Sequence, residues 1–310
     1  MLRIIEAGGE LTQHERSPDM VWLDLLNPSA KEEARAESVT GRDVPTPGER
    51  AALESSARNY IDDGALFLTP TLLGRRDEGD FVSGPVTFML WRGVLLTIRE
   101  IDPRAFEIGE SRASVRLTKA RTAANVLVAL LESVLERTAD LISEQEGVAD
   151  EVSRGLYVDG RGPDLNASLK LIGRIGSIAA LCHSSLSSLK RSLIFLLGVE
   201  HSDRPSQTRL KIFAQDVEEL ERQVEALQSR MAFLQASTLG LVNSRQTNVL
   251  KALSLATISF VPATLIASFF GMNFESIHWY EKAWGPVAAI ALMVAAPMVL
   301  FAVARWRNWF

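Results

Sequence analysis

Ala252–Asn273, ALSLATISFVPATLIASFFGMN, decides the reading of this chain: 22 successive residues carry no charge. After a short polar interlude, FESIHWYEK, a second uncharged stretch runs from Ala283 to Ala304, AWGPVAAIALMVAAPMVLFAVA. At ~1.5 Å per residue each is long enough to cross a hydrocarbon core of ~30 Å. The competing reading is a pair of buried helices in a large soluble core. Soluble helices keep charge on some face, and two in succession without any read as membrane spans. Arg245 and Lys251 precede the first span and Arg305 and Arg307 follow the second, whereas the linking loop carries Glu275, Glu281 and Lys282. Positive flanks stay inside, which predicts a multi-pass protein of a bacterial-type inner (plasma) membrane with both termini cytoplasmic. Trp279, Tyr280 and Trp284 mark one boundary and Trp306, Trp309 and Phe310 the other, as interfacial aromatics do.

The composition of the whole chain hides this. Its 310 residues hold 33 basic against 38 acidic side chains, a net charge of −5, with 47% apolar and 23% charged residues. Those averages describe a soluble two-domain protein, but they sum an acidic region of about 250 residues and a nearly uncharged hairpin. Lys and Arg are not in surplus, which argues against a nucleic-acid partner. The one cysteine, Cys182, forms no internal disulfide framework, and the N-terminus carries no signal-peptide pattern.

The expected organisation is α+β in front of a long helical stalk and a two-helix membrane hairpin. Residues 1–117 form a cytoplasmic α/β domain, with strands at Val21–Leu26, Ala65–Leu68, Val86–Trp91 and Val94–Arg99 and a hairpin turn at Arg92-Gly93. Asn27-Pro28-Ser29 caps a helix over Ala30–Ser38, Thr46-Pro47 opens another over Gly48–Arg58, and Ser38–Gly48 reads as an exposed loop. Residues 118–204 form an antiparallel pair of long helices turning at Asp159–Pro163. The stalk helix occupies 205–251, the first span 252–273, the outer loop 274–283, the second span 284–304 and the tail 305–310. Phe213, Val217, Leu220, Val224, Leu227, Met231, Leu234, Thr238 and Leu241 repeat at alternating four- and three-residue spacing, a coiled-coil seam on a helix running unbroken into the membrane. It stretches on the order of 95 Å from 205 to 270. Part of the seam packs against its own neighbours; a helix of this length also favours an oligomeric stalk.

In the first span Ser254, Thr257, Val261, Thr264 and Ser268 share one face at spacings of three and four, extended backwards by Leu250 and Thr247. Hydroxyls in membranes often bond their own i−4 carbonyls or join helices. Five aligned positions ending in a polar turn favour a narrow water-filled path. Two helices cannot enclose one, so several copies must surround an axis. Neutral oxygens suit an ion that keeps most of its water, as Mg²⁺ does. Glu275 and Glu281, repeated in each copy, would form acidic rings outside.

The span ends in Gly271-Met272-Asn273, where Gly permits a tight path and an Asn amide oxygen can hold a water of a hydrated cation. The segment VPATLIASFFGMNFE, the mid-span Pro262, the short loop and the final span resemble the CorA family of divalent-cation channels. Trp22-Leu23-Asp24-Leu25 and Leu95-Leu96-Thr97-Ile98-Arg99-Glu100 are similar to that family's cytoplasmic domain. The resemblance implies a funnel-shaped homopentamer and passive Mg²⁺ uptake, with Co²⁺ and Ni²⁺ also carried. It implies a selectivity filter of Gly271, Met272 and Asn273 and a pore lined by Leu250, Leu253, Ser254, Thr257, Val261, Thr264 and Ser268. Leu250 and Leu253 would be a cytoplasmic gate. Regulatory Mg²⁺ ligands would be Asp216, Glu219, Asp62 and Asp63, for each of which a plain solvated charge is the competing reading. The loop Ser276-Ile277-His278-Trp279 and Phe270 before the triplet depart from the magnesium type, and His278 points toward a softer ion.

Three rivals stand beside the channel. An enzyme has no support from a P-loop, an HExxH or a dinucleotide fingerprint. Cys182-His183-Ser184-Ser185 diverges around a helix rather than forming a nucleophilic set. A membrane-tethered coiled-coil scaffold would leave the hydroxyl face and the triplet idle. A proton-coupled Zn²⁺ transporter on the same scaffold has no carboxylate within its spans. No resident cofactor is expected, and the partners are the bilayer, divalent cations and further copies of the chain.

Overall fold

The computed structural model describes residues 2–6, 20–50, 58–75, 81–101, 105–106, 122–157, 164–200, 205–272 and 284–307. These belong to two compact units, Met1–Gln235 and Ala236–Phe310.

The first unit is built on a seven-stranded sheet. Its strands are β1 (Leu2–Glu6), β2 (Met20–Leu26), β3 (Asn59–Asp62), β4 (Ala65–Leu68), β5 (Thr71–Arg75), β6 (Phe81–Trp91) and β7 (Val94–Arg99). The order is β1-β2-β7-β6-β4-β3, with β5 pairing β6 beyond the end of β4. All pairings are antiparallel except β2 with β7, which run parallel with Trp22 opposite Leu95 and Asp24 opposite Thr97. Both faces are covered, which is why these strands read as continuous apolar runs rather than as alternations. One face holds Leu23, Leu25, Phe67, Met89, Leu96 and Ile98, packed with Ala36 and Val44. The β6–β7 turn places Arg92 and Gly93 at φ 46° and 78°, and the β3–β4 turn places Asp63 and Gly64 at 43° and 79°. Two successive positive φ values match the right-handed twist of a tight hairpin, and Asn, Asp and Gly reach them most readily.

Helix α1 (Ala30–Thr40) starts at Ser29, whose side chain and backbone form a capping box with Glu32. The Ser29 backbone N–H, then its hydroxyl, hold the Glu32 carboxyl down at about 2. The helix runs two residues past Ser38 to a left-handed Gly41 at φ 68°. The expected exposed loop is therefore shorter, and part of it is core: Val44 is buried and its N–H donates to Glu37 Oε1 at 3.0 Å. Helix α2 is described over Pro47–Arg50 and residues 51–57 lie outside the described residues, as does the turn at 159–163. Thr46 caps α2, its N–H donating to Glu49 Oε2 at 2.7 Å.

Two long helices, α3 (Ala123–Tyr157) and α4 (Leu165–Gly198), pack together on the other sheet face. Asp164 caps α4 by accepting from the N–H groups of Asn166 and Ala167. Helix α4 is long and apolar enough to cross a membrane by composition alone. Its hydroxyls instead moor it to the sheet: Ser188 Oγ accepts from Thr71 N–H at 2.8 Å, and Ser192 Oγ donates to Asn59 Oδ1 at 3.0 Å. Helix α5 runs from Gln207 to Phe270. Within the first unit its seam residues Phe213, Val217, Val224, Leu227, Met231 and Leu234 are buried by the chain's own packing. Charged pairs tie this part of α5 to its neighbours: Arg209 grips Glu132 of α3 at 2.9 Å, and Glu221 meets Lys190 of α4 at 2.7 Å and Ser187 at 2.8 Å. Burial pushes the Glu221 carboxyl up, but the Lys190 and Ser187 bonds outweigh it and hold it below the usual range.

The second unit contains the last turns of α5 and helix α6 (Gly285–Trp306). Trp284 precedes α6 and Pro286 sits in its first turn, where the missing N–H costs nothing. Gly285, Ala289 and Ala304 of α6 are buried and Met293, Ala296 and Pro297 half-buried, a face of mostly small residues that lets another helix approach closely.

Candidate functional site

The hydroxyl face of α5 takes shape from three- and four-residue spacing on a continuous helix. Leu250, Ser254, Thr257, Val261, Thr264 and Ser268 are all exposed in the single chain, as is Leu253. The half-buried residues of this stretch are Ile258, Pro262, Ala263, Ile266 and Phe270. At ~3.6 residues per turn those five centre on the side of the helix opposite the hydroxyls. The other described element of this unit is α6, so the chain covers one side of the span and leaves the polar side open.

The threonines hold a specific orientation on this face. Thr257 Oγ1 donates to Leu253 O at 3.0 Å and Thr264 Oγ1 donates to Phe260 O at 2.8 Å. Their protons point back along the helix and their lone pairs outward. The i−4 bond does not use up the polar face: a hydroxyl that has given its proton to the backbone still presents acceptor oxygen outward. Pro262 removes one ladder bond on the opposite, covered side.

At the C-terminal end of α5 Gly271 donates its N–H to Ala267 O at 2.9 Å. A Cβ there would stand 3.1 Å from that same carbonyl oxygen, so any larger residue crowds the helix end. Met272 is 52% exposed. Asn273, Glu275 and Glu281, and with them His278, lie outside the described residues.

The four candidate regulatory carboxylates are not brought together. Asp62 and Asp63 both pair with Arg42, Asp63 at 2.9 Å, and the Arg42 guanidinium stacks over Trp91 at 5.3 Å. Asp63 is also the first residue of the β3–β4 turn. Asp216 is exposed on α5, and Glu219 pairs with Arg222 one turn along at 2.7 Å, an ion pair worth little at such exposure. Among the described residues no three His, Cys, Asp or Glu side chains form a metal-binding group.

Two features escaped sequence reasoning. Arg42, Asp43, Glu49, Tyr60 and Asp62 line a cleft of about 370 Å³ beside the edge strand β3. On the α3–α4 face of the sheet, Arg99 donates to both oxygens of Asp24, with Nη2–Oδ2 at 2.8 Å. Thr97 Oγ1 donates to Asp24 Oδ1 at 2.6 Å and Trp22 Nε1 to Thr97 Oγ1 at 3.0 Å. The two short segments that resemble the CorA cytoplasmic domain are thus adjacent parallel strands joined by one buried polar chain. A charged residue in each apolar run was its only trace.

Cys182 is 1% exposed, and burial pushes its thiol up to about 12. Thiolate is the reactive form, so native protein at pH 7.5 should resist a maleimide reagent and label within minutes once unfolded. Quick labelling of the native chain would contradict the packing of α4.

Residues 17–305 match the family described as CorA-like Mg²⁺ transporter protein. The chain is 26% identical over 300 residues to the magnesium transport protein CorA of Escherichia coli (strain K12), covering 97% of this chain and 95% of that protein. Its fold is similar to the complete structure of the CorA magnesium transporter from Methanocaldococcus jannaschii, with a TM-score of 0.78, 16% identity and coverage of 100% and 98%. It is also similar to the ZntB cytoplasmic domain from Vibrio parahaemolyticus, with a TM-score of 0.59, 14% identity and coverage of 79% and 100%.

Proposed function

The chain belongs to the CorA-like Mg²⁺ transporter family, and from that premise we propose that it is a passive Mg²⁺ channel of the inner membrane, working as a homopentamer with both termini cytoplasmic. The observation that carries this reading is the exposed acceptor face of α5, opposite the side its own chain covers. Copies arranged about an axis would turn Ser254, Thr257, Thr264 and Ser268 toward a shared path, with Val261 as an apolar step between them. The Thr257 and Thr264 oxygens, whose protons are given to the backbone, favour the outward-pointing hydrogens of a hydrated cation and offer nothing to an anion. Mg²⁺ dehydrates reluctantly, so passage with its first water shell avoids that cost.

Leu250 and Leu253 follow at the inner end as the dewetting gate. Gly271, Met272 and Asn273 form the outer filter, with Glu275 and Glu281 concentrating cations at the mouth. Sensing of internal Mg²⁺ falls to Asp216 and Glu219 between subunits: Asp62 and Asp63 share the half-buried Arg42, whereas Asp216 is exposed and the Glu219–Arg222 pair lies open to solvent.

The rival on this scaffold is proton-coupled Zn²⁺ transport, to which His278 would lend an imidazole. A competition panel of Mg²⁺, Co²⁺, Ni²⁺ and Zn²⁺ in reconstituted liposomes separates the two, run with and without a pH gradient. Mg²⁺ uptake indifferent to the gradient is expected. Zn²⁺ uptake that outcompetes Mg²⁺ and rises with an imposed gradient would replace the Mg²⁺ reading.

A further inference from the structure

The cleft of about 370 Å³ in the first unit is of a size for a small ligand, at the lower end of the ~300–1,000 Å³ typical of such sites. Arg42 and Asp43 follow the left-handed Gly41 that ends α1, Glu49 lies in α2, Tyr60 and Asp62 belong to the edge strand β3, and Phe67 to β4. Tyr60 and Phe67 stack at 4.6 Å and give the cleft an aromatic floor. Around it the lining sets three carboxylates against one guanidinium. That guanidinium is committed: Arg42 donates to Asp62, to Asp63 and to the Asp62 backbone carbonyl at 2.6 Å, and lies over Trp91. The Glu49 carboxylate accepts from Thr46, and Asp43 makes no hydrogen bond or ion pair with any described residue, so neither has a counter-cation among them. Burial, then the Glu49 and Asp62 charges, push the Tyr60 phenol above its ordinary value, and Arg42 pulls the other way but is outweighed. The cleft is therefore negative inside. Its carboxylates do not converge on one point, since no three His, Cys, Asp or Glu among the described residues form a metal-binding group. A compact divalent ion fits this arrangement poorly and an extended cation fits it well.

We propose that this cleft binds a linear aliphatic polyamine, with ammonium groups on Asp43 and Glu49, Asp62 at the rim, and methylene spacers across the Tyr60–Phe67 floor. An ammonium group donates three hydrogen bonds and accepts none, which matches carboxylates that lack a cation. An aromatic face within ~6 Å of such a group adds attraction. Methylenes lie along apolar surface while the charged ends stay wet, as lysine stems do, and the Asp62 side chain is 68% exposed, open enough for such an end. An anion finds no free donor here, because Asp62 and Asp63 already hold Arg42. The site belongs to the first unit and stands apart from the channel reading.

The test uses the full chain in a neutral detergent and measures equilibrium binding of radiolabelled spermidine with Mg²⁺ held in excess. Saturable, stoichiometric binding is expected, and n-butylamine, which carries a single ammonium, should fail to compete. Asp43→Asn and Glu49→Gln should each weaken binding about two- to fivefold, the range of an exposed ion pair. Glutamine keeps the capping bond with Thr46, and Asp43 has no partner to lose, so both variants should fold. Asp43→Lys sets a tethered ammonium in the cleft and should abolish binding. Asp140→Asn, an exposed carboxylate of α3 outside the cleft, should leave it unchanged. Displacement by Mg²⁺, equal competition by butylamine, undiminished binding in the cleft variants, or tighter binding of an arginine-rich peptide at the same residues would each overturn the proposal. Ion flux is not the readout, so a chain that binds spermidine yet conducts nothing overturns the channel and leaves this site standing.

Discussion

Replacing Asn273 by Ala abolishes Mg²⁺ uptake while the oligomer, read by gel filtration, stays intact. In the proposed filter the Asn273 amide oxygen would replace bulk water around a hydrated cation without removing its first shell. A ring of such oxygens is lost entirely when each subunit loses its own, because alanine offers no acceptor at that position. Asn273→Asp keeps an acceptor and adds charge, so it should retain flux with altered ion preference. Crowding at the neighbouring residue gives a second check: Gly271→Val places a branched side chain against Ala267 O and should also abolish uptake. Uptake that survives Asn273→Ala would move the filter elsewhere on the α5 face.

The second large effect is on stability. Arg99→Ala leaves Asp24, 2% exposed, as a buried carboxylate whose main cation is gone. Removing one partner of a buried pair costs about 3–5 kcal/mol, because the remaining charge has lost both water and counter-ion. Thr97 Oγ1 still donates to Asp24 but cannot neutralise it. The Arg99 guanidinium also stacks on the Phe106 ring at 4.8 Å, and alanine is too short to reach it. The midpoint of unfolding of the sheet unit should fall by many degrees. Asp24→Leu combined with Arg99→Met should recover most of the loss, since an apolar pair of similar volume removes the unpaired charge. An Arg99→Ala protein as stable as the parent would show that the pair is not buried in solution.

The parts of this fold that were legible in the sequence are those where local and tertiary preferences agree. The β4, β6 and β7 runs are apolar because both sheet faces are covered, and Arg92-Gly93 marks its hairpin by residues that reach positive φ. The strands that escaped are short or on an edge: β1, β3 and β5 span four or five residues each. Asp63-Gly64 carried a stronger hairpin signal than Arg92-Gly93, but Asp62-Asp63 drew attention as a pair of carboxylates. Their fate depends on Arg42, twenty residues away, and no local pattern connects the two. Composition also makes α4 resemble a span, whereas its serines bond to Thr71 and Asn59 and place it on the sheet. The hydroxyl face of α5 was fully legible because helical spacing alone defines it. Its openness was not, since that depends on which side α6 covers.

The most direct test of the central claim is Mg²⁺ uptake by the full chain in sealed liposomes, followed with an internal indicator and challenged with cobalt hexammine. That complex is close in size to a hydrated Mg²⁺ ion, carries more positive charge and cannot shed its ligands, so it should enter the mouth and block. Uptake driven by the Mg²⁺ gradient alone and stopped by cobalt hexammine is the predicted result. Liposomes that contain the oligomer and pass no divalent cation would contradict the account.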